Sequence, residues 1–366
     1  MALTDIDAGR LADNVFNNVG PFKNRVINGD MRIDQRNAGS SVTITSSTYT
    51  LDRWRAGTTD SSKFSVQQST TAPAGFTNSL LFTSLSADSG SSSDQYTISQ
   101  RIEGNNIADL GWGTSDAKTV TLSFWVRSSL TGTFGGSLRN NSTNRSYPFT
   151  YAISSADTWE YKTLTIPGDT SGTWDTSTNI GILLNFGLGE GSTFSGPAGA
   201  WAAANYTGAT GAVQVTATNN ATWYITGVQL EVGSVATPFE HRSYGDELYR
   251  CQRYYEQQEV YRYYKLGSAR GTSGGYAVCQ YLVPKRAIPG TITLPPGAQT
   301  SDNSMVFLTS GTGFPSTIGS HAANVISTNG FRIEGTGYSG MTNDGTSFLY
   351  SGGNQGTSFI KIDAEL

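Results

Sequence analysis

The sequence predicts an all-β protein made of two sandwich-like units, and three observations carry that expectation. Charged residues are only 14% of the chain, against roughly 25% in an average globular protein. The chain holds 43 Gly, many Ser and Thr, and 18 Tyr, 16 Phe and 7 Trp, a composition poor for helices and good for strands joined by tight turns. Its apolar residues fall in short alternating runs separated by Gly, Ser, Asn and Asp, the pattern of half-buried strands.

The chain opens with the one N-terminal segment that reads as a helix. Leu11, Val15 and Val19 fall on one face, Asp5 or Asp7 caps the start, and Gly20-Pro21 stops it. So short a helix is marginal alone and must pack on its own domain, sister copies or another protein. Residues 1–23 are therefore an attachment or trimerisation segment, with Leu11, Val15 and Val19 as its seam.

Residues 24–242 form the first large unit. Strands are predicted over 25–33, 42–45, 64–68, 79–85, 96–103, 120–126, 136–139, 149–153, 161–166, 180–186, 213–218 and 223–232. The alternation is clearest where Val120, Leu122, Phe124 and Val126 oppose Thr119, Thr121, Ser123 and Trp125. Many short strands at close spacing argue for a sandwich, and no repeat period points elsewhere. The last strand slips phase at Gly227, which reads as a bulge. Two long loops are expected to be exposed: 169–179, carrying Trp174, and 187–211, carrying Trp201 and Tyr206. The serine-rich stretch 87–94 reads as a mobile tip.

A helical hinge follows over 243–256, with Leu248, Cys251 and Tyr255 at helical spacing. All seven Trp precede it and none follows, so composition changes there. Residues 257–366 form the second, C-terminal β domain, ending in a strand over 358–362. Tyr249, Tyr254, Tyr255, Tyr261, Tyr263 and Tyr264 crowd the start of this region.

Several function classes are disfavoured. A net charge of −4 offers no basic footprint for nucleic acid. No apolar run is long enough to span a membrane, and the N-terminus lacks a secretory signal. Cys251 and Cys279 read as free thiols made in a reducing cytosol, with one bridge the less favoured alternative.

Certain ordered segments resemble a known family. Lys23 to Met31 (KNRVINGDM), Asp34 to Asn37 (DQRN) and Leu51-Asp52-Arg53-Trp54 resemble the opening of a module in tail-fibre and receptor-binding proteins of tailed bacteriophages. Gly227 to Gly233 (GVQLEVG) with Pro238-Phe239-Glu240 resembles that module's last strand. Glu247 to Tyr255 (ELYRCQRYY), Val283 to Pro289 (VPKRAIP) and the ending Asp363-Ala364-Glu365-Leu366 resemble the link and the distal region. Asn28-Gly29-Asp30-Met31 and Gly227-Val228-Gln229-Leu230 also resemble carbohydrate-binding modules with a jelly-roll sandwich. That resemblance implies a jelly roll with its first and last strands side by side, and leaves room for one structural calcium ion. The fibre resemblance implies a homotrimer joined to other virion tail or capsid proteins through the N-terminus, located on the virion after synthesis in the host cytoplasm.

Chemistry on the chain favours holding over reacting. His241, in Glu240-His241-Arg242, and His321, after Gly319-Ser320, read as polar loop residues. No zinc-ligand spacing occurs, and no carboxylate pair stands out for glycoside cleavage. Asp94, Glu103, Asp109 and Asp116 fall in or near turns. No catalytic residue, metal ligand or cofactor is expected.

Sugar binding is the better chemical expectation, because a sugar's apolar face stacks on an open aromatic ring. Trp112, flanked by Gly111 and Gly113, and the loop residues Trp174, Trp201 and Tyr206 are the candidates. A packing role at a sandwich end or subunit seam competes for each. Trp54, Trp125, Trp159 and Trp223 sit in strand patterns and are expected in the core or in packing on the sheet. For Tyr255, Tyr261 and Tyr263 an intersubunit seam is favoured over a glycan face. The expected function is noncovalent binding of host-surface polysaccharide during adsorption. Its rivals are a purely structural fibre or capsid decoration, and a polysaccharide depolymerase or glycoside-hydrolase accessory module.

Overall fold

The computed structural model describes residues 23–260, 262–269, 273–295, 306–309, 319–324, 326–339, 346–351 and 359–366. The segment with Leu11, Val15 and Val19 lies outside the described residues, as do Tyr261 and the side chain of Tyr263. The chain divides into two units: residues up to Glu247 together with Leu366, and Leu248–Glu365.

Among the described residues the first unit is all β up to residue 243, apart from short 3-10 turns. Its strands in chain order are β1 (Val42–Thr43), β2 (Thr48–Tyr49), β3 (Trp54–Thr58), β4 (Phe64–Ser69), β5 (Ser79–Ser84), β6 (Gln95–Glu103) and β7 (Val120–Ser128). They continue with β8 (Gly132–Arg139), β9 (Ser146–Ile153), β10 (Glu160–Ile166), β11 (Ile180–Glu190), β12 (Ser195–Gly196), β13 (Gly208–Ala209) and β14 (Thr222–Val232). Two six-stranded antiparallel sheets pack face to face, in the orders β1-β4-β5-β14-β7-β10 and β2-β3-β6-β11-β8-β9. This is a jelly-roll β-sandwich.

Alternation explains the core. Val120, Leu122, Phe124 and Val126 point inward from β7, and Ile182, Leu184, Phe186 and Leu188 from β11. Phe124 meets Phe186 edge-on at 5.2 Å and Tyr151 at 5.1 Å, an arrangement that aromatic quadrupoles favour. Trp54 and Trp223 lie fully inside, as expected of them.

The first and last segments of the unit do run together. Arg25 N–H donates to Leu230 O at 2.9 Å, and Val228 N–H to Gly29 O at 2.9 Å. The Asn24 side chain donates to Val228 O and accepts from Leu230 N–H, both at 3.0 Å. The expected strand over 25–33 is nevertheless absent: beyond those two main-chain bonds to β14, this stretch is irregular and bonds largely through side chains. The expected strand over 213–218 is a 3-10 turn, Val215–Ala217. The phase slip near Gly227 is a true bulge, where the β14–β7 register shifts between Thr226 and Gln229.

Helix α1 (Tyr244–Gln252) begins with a serine cap. The Ser243 hydroxyl accepts from Asp246 N–H at 3.2 Å and donates to the Asp246 carboxylate at 2.7 Å. The helix stops before Tyr255, which the spacing had placed on it. Tyr255 instead opens β15 (Tyr255–Glu259), and its ring is 4% exposed within its own unit, which leaves almost none of it for an intersubunit seam.

The second unit continues with β16 (Arg262–Ala269), β17 (Gly274–Gln280), β18 (Thr291–Thr293), β19 (Val306–Thr309), β20 (Ser320–Asn324), β21 (Gly330–Thr336), β22 (Thr346–Ser351) and β23 (Phe359–Asp363). A three-stranded sheet, β15-β23-β18, and a six-stranded one, β19-β22-β16-β17-β21-β20, share a core that includes Val260, Cys279, Phe331, Ile333, Ile360 and Ile362. Cys251 and Cys279 are both buried and form no disulfide. Among the described residues no helix is long and apolar enough to cross a membrane.

Candidate functional site: an aromatic groove on the first sheet

The site is built on the bulge in β14. Strand β7 sends Ser123 and Trp125 to the outer face of its sheet, and β10 places Tyr161 directly opposite Trp125. The two rings stand 5.3 Å apart, tilted by 46°. Tyr161 is 43% exposed, although it sits in a regular strand. On the other side, Phe76, Phe239 and His241 form a second cluster. Their ring centroids are 5.2 Å (Phe76–Phe239), 5.3 Å (Phe76–His241) and 5.0 Å (Phe239–His241) apart. Between the clusters lies an open groove of about 430 Å³, floored by Gly227 and walled by Ala236, Thr237 and Pro238.

Gly227 makes that geometry feasible. Its φ is +62°, a left-handed conformation that glycine adopts without a Cβ penalty. A Cβ there would sit 2.7 Å from the Phe76 ring and 3.2 Å from Trp125.

The wall is held by polar side chains of β14 that face outward yet are buried. Glu231 accepts from Thr237 N–H at 2.9 Å and from its hydroxyl at 2.6 Å. Gln229 accepts from Glu240 N–H at 2.9 Å and donates to Thr237 O at 3.2 Å. The Glu240 carboxylate accepts from Asn24 N–H at 2.6 Å. The segment Val-Gln-Leu-Glu thus puts Val228 and Leu230 into the core while Gln229 and Glu231 fix the turn that forms one side of the groove.

The four residues singled out for sugar stacking sit elsewhere. Trp112, Trp174 and Trp201 do come together, with centroids 4.7, 5.3 and 5.5 Å apart and mutually edge-on. Trp112 and Trp174 are only 6% and 7% exposed, however. Each indole N–H is used by a main-chain oxygen: Trp112 by Lys118 at 2.8 Å, Trp174 by Ser171 at 3.3 Å and Trp201 by Pro167 at 2.8 Å. The Arg145–Asp169 pair, bidentate at 2.7 and 2.6 Å with Asp169 buried, pins the loop that carries Trp174. The glycines beside Trp112 turn the chain and do not bare the ring. Tyr206 is half-buried and packs on Gly196, where a Cβ would lie 2.2 Å from its ring. The loop holding Trp201 and Tyr206 is laid against the second sheet, where the missing Gly135 side chain leaves room for Ala209.

Trp125 and Trp159 are half-buried on the outer face, packed on the sheet against Tyr161 and Tyr224 and not in the core. The signal was present in the alternation, which puts Trp125 in phase with Thr121 and Ser123. His241, read as a loop residue, is a groove wall. His321 lies on β20 rather than in a loop; it pairs with the Tyr338 hydroxyl, and burial lowers its pKa to about 4.

Among the described residues one group of carboxylates has metal-ligand spacing: Asp60, Asp88 and Asp94, with oxygens within 4.8 Å of one another. Their oxygens already have donors. Lys63 reaches Asp88 at 2.9 Å, the Tyr96 hydroxyl lies 3.0 Å from both Asp60 and Asp88, and Ser91 donates to Asp94 through N–H at 2.5 Å and hydroxyl at 2.7 Å. The Lys63 ammonium, followed by the Gly90 N–H, lowers the Asp88 pKa. The cluster anchors both ends of the 87–94 tip. These three residues are the ones that could hold a calcium ion, at the expense of the Lys63 pairing.

Glu190 is a carboxyl perturbed in the opposite direction. It ends β11 against Gly187 and Gly208, one of its oxygens is buried without a partner, and burial pushes its pKa from 4.5 up to about 8. The folded state then keeps a proton that the unfolded chain releases, so stability is greatest below the unfolded value and declines as pH rises toward the folded one. The melting temperature of the first unit, read by Trp fluorescence, is expected to fall from about pH 5 to about pH 8, and Glu190→Gln is expected to flatten that slope. An unchanged slope in the variant would refute the assignment.

Comparison with known proteins adds a likeness of fold. No protein-family model and no curated protein matches the sequence. Among solved structures, the chain is similar to the enzymatically active domain of tailspike protein 4 of bacteriophage CBA120, at 14% identity and a TM-score of 0.29 over 59% of this chain. The match spans 22% of that tailspike chain. The chain is also similar to the family 11 carbohydrate-binding module of a Clostridium thermocellum cellulosomal cellulase, at 15% identity and a TM-score of 0.26, covering 57% of this chain and all of that one. A third similar structure is a xylan-binding domain from Paenibacillus barcinonensis, at 11% identity and a TM-score of 0.26, covering 55% of this chain and 99% of the other. What the groove can hold follows from its own residues.

Proposed function

We propose that this protein holds a host-surface glycan noncovalently in the groove between Trp125–Tyr161 and Phe76–Phe239–His241, as part of a virion appendage. The observation that carries the reading is the pair of facing aromatic clusters left open on the outside of a folded sheet. Exposed rings on both sides of a groove match the apolar faces of a sugar ring, while the sugar hydroxyls stay wet or meet the rim. The residues lining the groove include no carboxylate, so the groove presents contact surface without an acid–base pair for cleavage.

The fibre setting and the homotrimer belong to the same proposal. Three copies would multiply a weak single-site affinity. The second unit offers an outward apolar stripe for assembly, with Val278 and Leu282 61% and 64% exposed. Light scattering on purified protein tests the trimer, and a monomer at working concentration would end it.

A glycan array with wild type and Trp125→Ala tests the groove. Losing a stacked ring removes about 1.5–3 kcal/mol of apolar contact, so affinity is expected to fall roughly 10- to 100-fold. An array on which the variant binds like the wild type would refute the groove.

A further inference from the structure

The second sheet carries a different kind of site on its outer face. Arg55 on β3, Arg101 on β6 and Arg139 on β8 all point away from the core, each one residue out of phase with Trp54, Ile102 or Leu138 inside. The register sets Leu183 of β11 opposite both Arg101 and Arg139, and sets Arg55 opposite Ser99, two residues from Arg101. Neighbouring strands lie about 4.8 Å apart, so three long guanidinium stems reach one another above a buried Leu183. The arginines sense each other: burial, then the charges of Arg101 and Arg55, lower the Arg139 pKa to about 10, and burial with Arg101 beside it lowers that of Arg55.

None of the three forms an ion pair with a side-chain carboxylate among the described residues. The Arg139 guanidinium donates to the Asn205 amide oxygen, and that of Arg101 to the main-chain oxygen of Leu366, the last residue of the sequence, which belongs to the same unit and also accepts from the Tyr49 hydroxyl at 2.9 Å. The Nε groups of Arg101 and Arg139 are buried without partners. The floor is polar and neutral, with the Asn185 amide donating to the Ser137 hydroxyl at 3.2 Å. Like charges gathered in a half-buried place are unfavourable unless an anion completes them, and guanidinium forks match the two oxygens of a carboxylate or phosphate.

We propose that Arg55, Arg101 and Arg139 form a second subsite, which takes the anionic group of an acidic saccharide, a carboxylate or phosphate on a sugar ring. The saccharide half of this inference rests on the glycan reading above; the anion half does not.

Calorimetric titration of the full-length protein tests it with four probes: trigalacturonate, neutral trigalactose, mannose 6-phosphate and inorganic phosphate. At least one anionic sugar is expected to bind about tenfold or more tighter than trigalactose, since charge-assisted bonds contribute about 1.5–3 kcal/mol each, and the preference should shrink with added salt. Whether trigalacturonate or mannose 6-phosphate is preferred identifies the anion. Arg139→Gln and Arg101→Gln are each expected to remove about tenfold of the preference, with Arg139→Lys intermediate because it keeps the charge and loses the fork. Trp125→Ala, on the outer face of the other sheet, should leave the binding of inorganic phosphate unchanged. The melting transition by Trp fluorescence confirms that each variant is folded.

A wild type that binds all four probes alike, or arginine variants that keep the preference, would overturn the subsite. If trigalactose fails while an anionic sugar or inorganic phosphate binds through the arginines, the groove reading falls and the anion subsite stands. The reverse pattern removes the subsite alone.

Discussion

Asn28→Ala is expected to lower the stability of the first unit by roughly 3–6 kcal/mol, on the scale of about 1–3 kcal/mol for each buried polar group left unpaired. The Asn28 side chain donates to Ile33 O at 2.8 Å and to Asp52 O at 2.9 Å, and accepts from Ile33 N–H at 2.9 Å. All three partners are main-chain groups, and the amide is fully buried. Its own carbonyl accepts from the Trp54 indole at 2.9 Å, and its N–H donates to Glu247. Its φ of +57° is tolerated by asparagine better than by alanine. Next to it, Gly29 has no room for a side chain, since a Cβ would lie 2.2 Å from Val228 O. One residue therefore stands in for a ladder over a stretch that has none. A loss on this scale is a large part of a domain's total of about 5–15 kcal/mol. Urea melts followed by Trp fluorescence measure it. A change below about 1 kcal/mol would show that the backbone finds other partners.

This hub explains what could and could not be read from the chain. Period-two alternation in β7 and β11 gives both the strands and their inward faces, because a strand's side chains have only two directions. It also assigns Trp125 to the outer face, in phase with Ser123. It does not reveal that a turn from residues 236–241 stands beside it to make a groove, because that turn is placed by Gln229 and Glu231 through tertiary bonds. The 25–33 stretch looks like a strand by composition and is not one, because Asn24 and Asn28 side chains take the bonds that a ladder would make. Glycine neighbours made Trp112 look open, yet Trp174 and Trp201 close over it, and those contacts come from distant segments. Arg55, Arg101 and Arg139 lie far apart in sequence and meet only through register across four strands. Face can be read locally; what covers a face cannot.

In the second unit the largest expected effect comes from Lys285→Met. The Lys285 ammonium donates to the Glu256 carboxylate at 2.5 Å, with both side chains fully shielded from solvent, and also to Gln252 O. Burial lowers the Lys285 pKa against the opposing pull of Glu256, so the charge persists only through its partner. Glu256 in turn accepts from Leu282 N–H at 3.1 Å and from the Gln258 amide at 2.5 Å. Removing the lysine leaves a buried carboxylate uncompensated, which costs about 3–5 kcal/mol. Removing both charges is far cheaper, because the pair's own attraction is largely offset by desolvation. Lys285→Met combined with Glu256→Gln, which keeps an acceptor for Leu282, is therefore expected to recover at least half of the loss. The two units can be followed separately, because every Trp precedes residue 248. Hydrogen exchange in peptides covering β17 and β21 should accelerate in the single variant and return toward wild type in the double, while the Trp-reported transition stays in place. A double variant as unstable as the single would mean that the lysine acts by packing its stem against Tyr281, 5.1 Å from the ammonium, and not by neutralising Glu256.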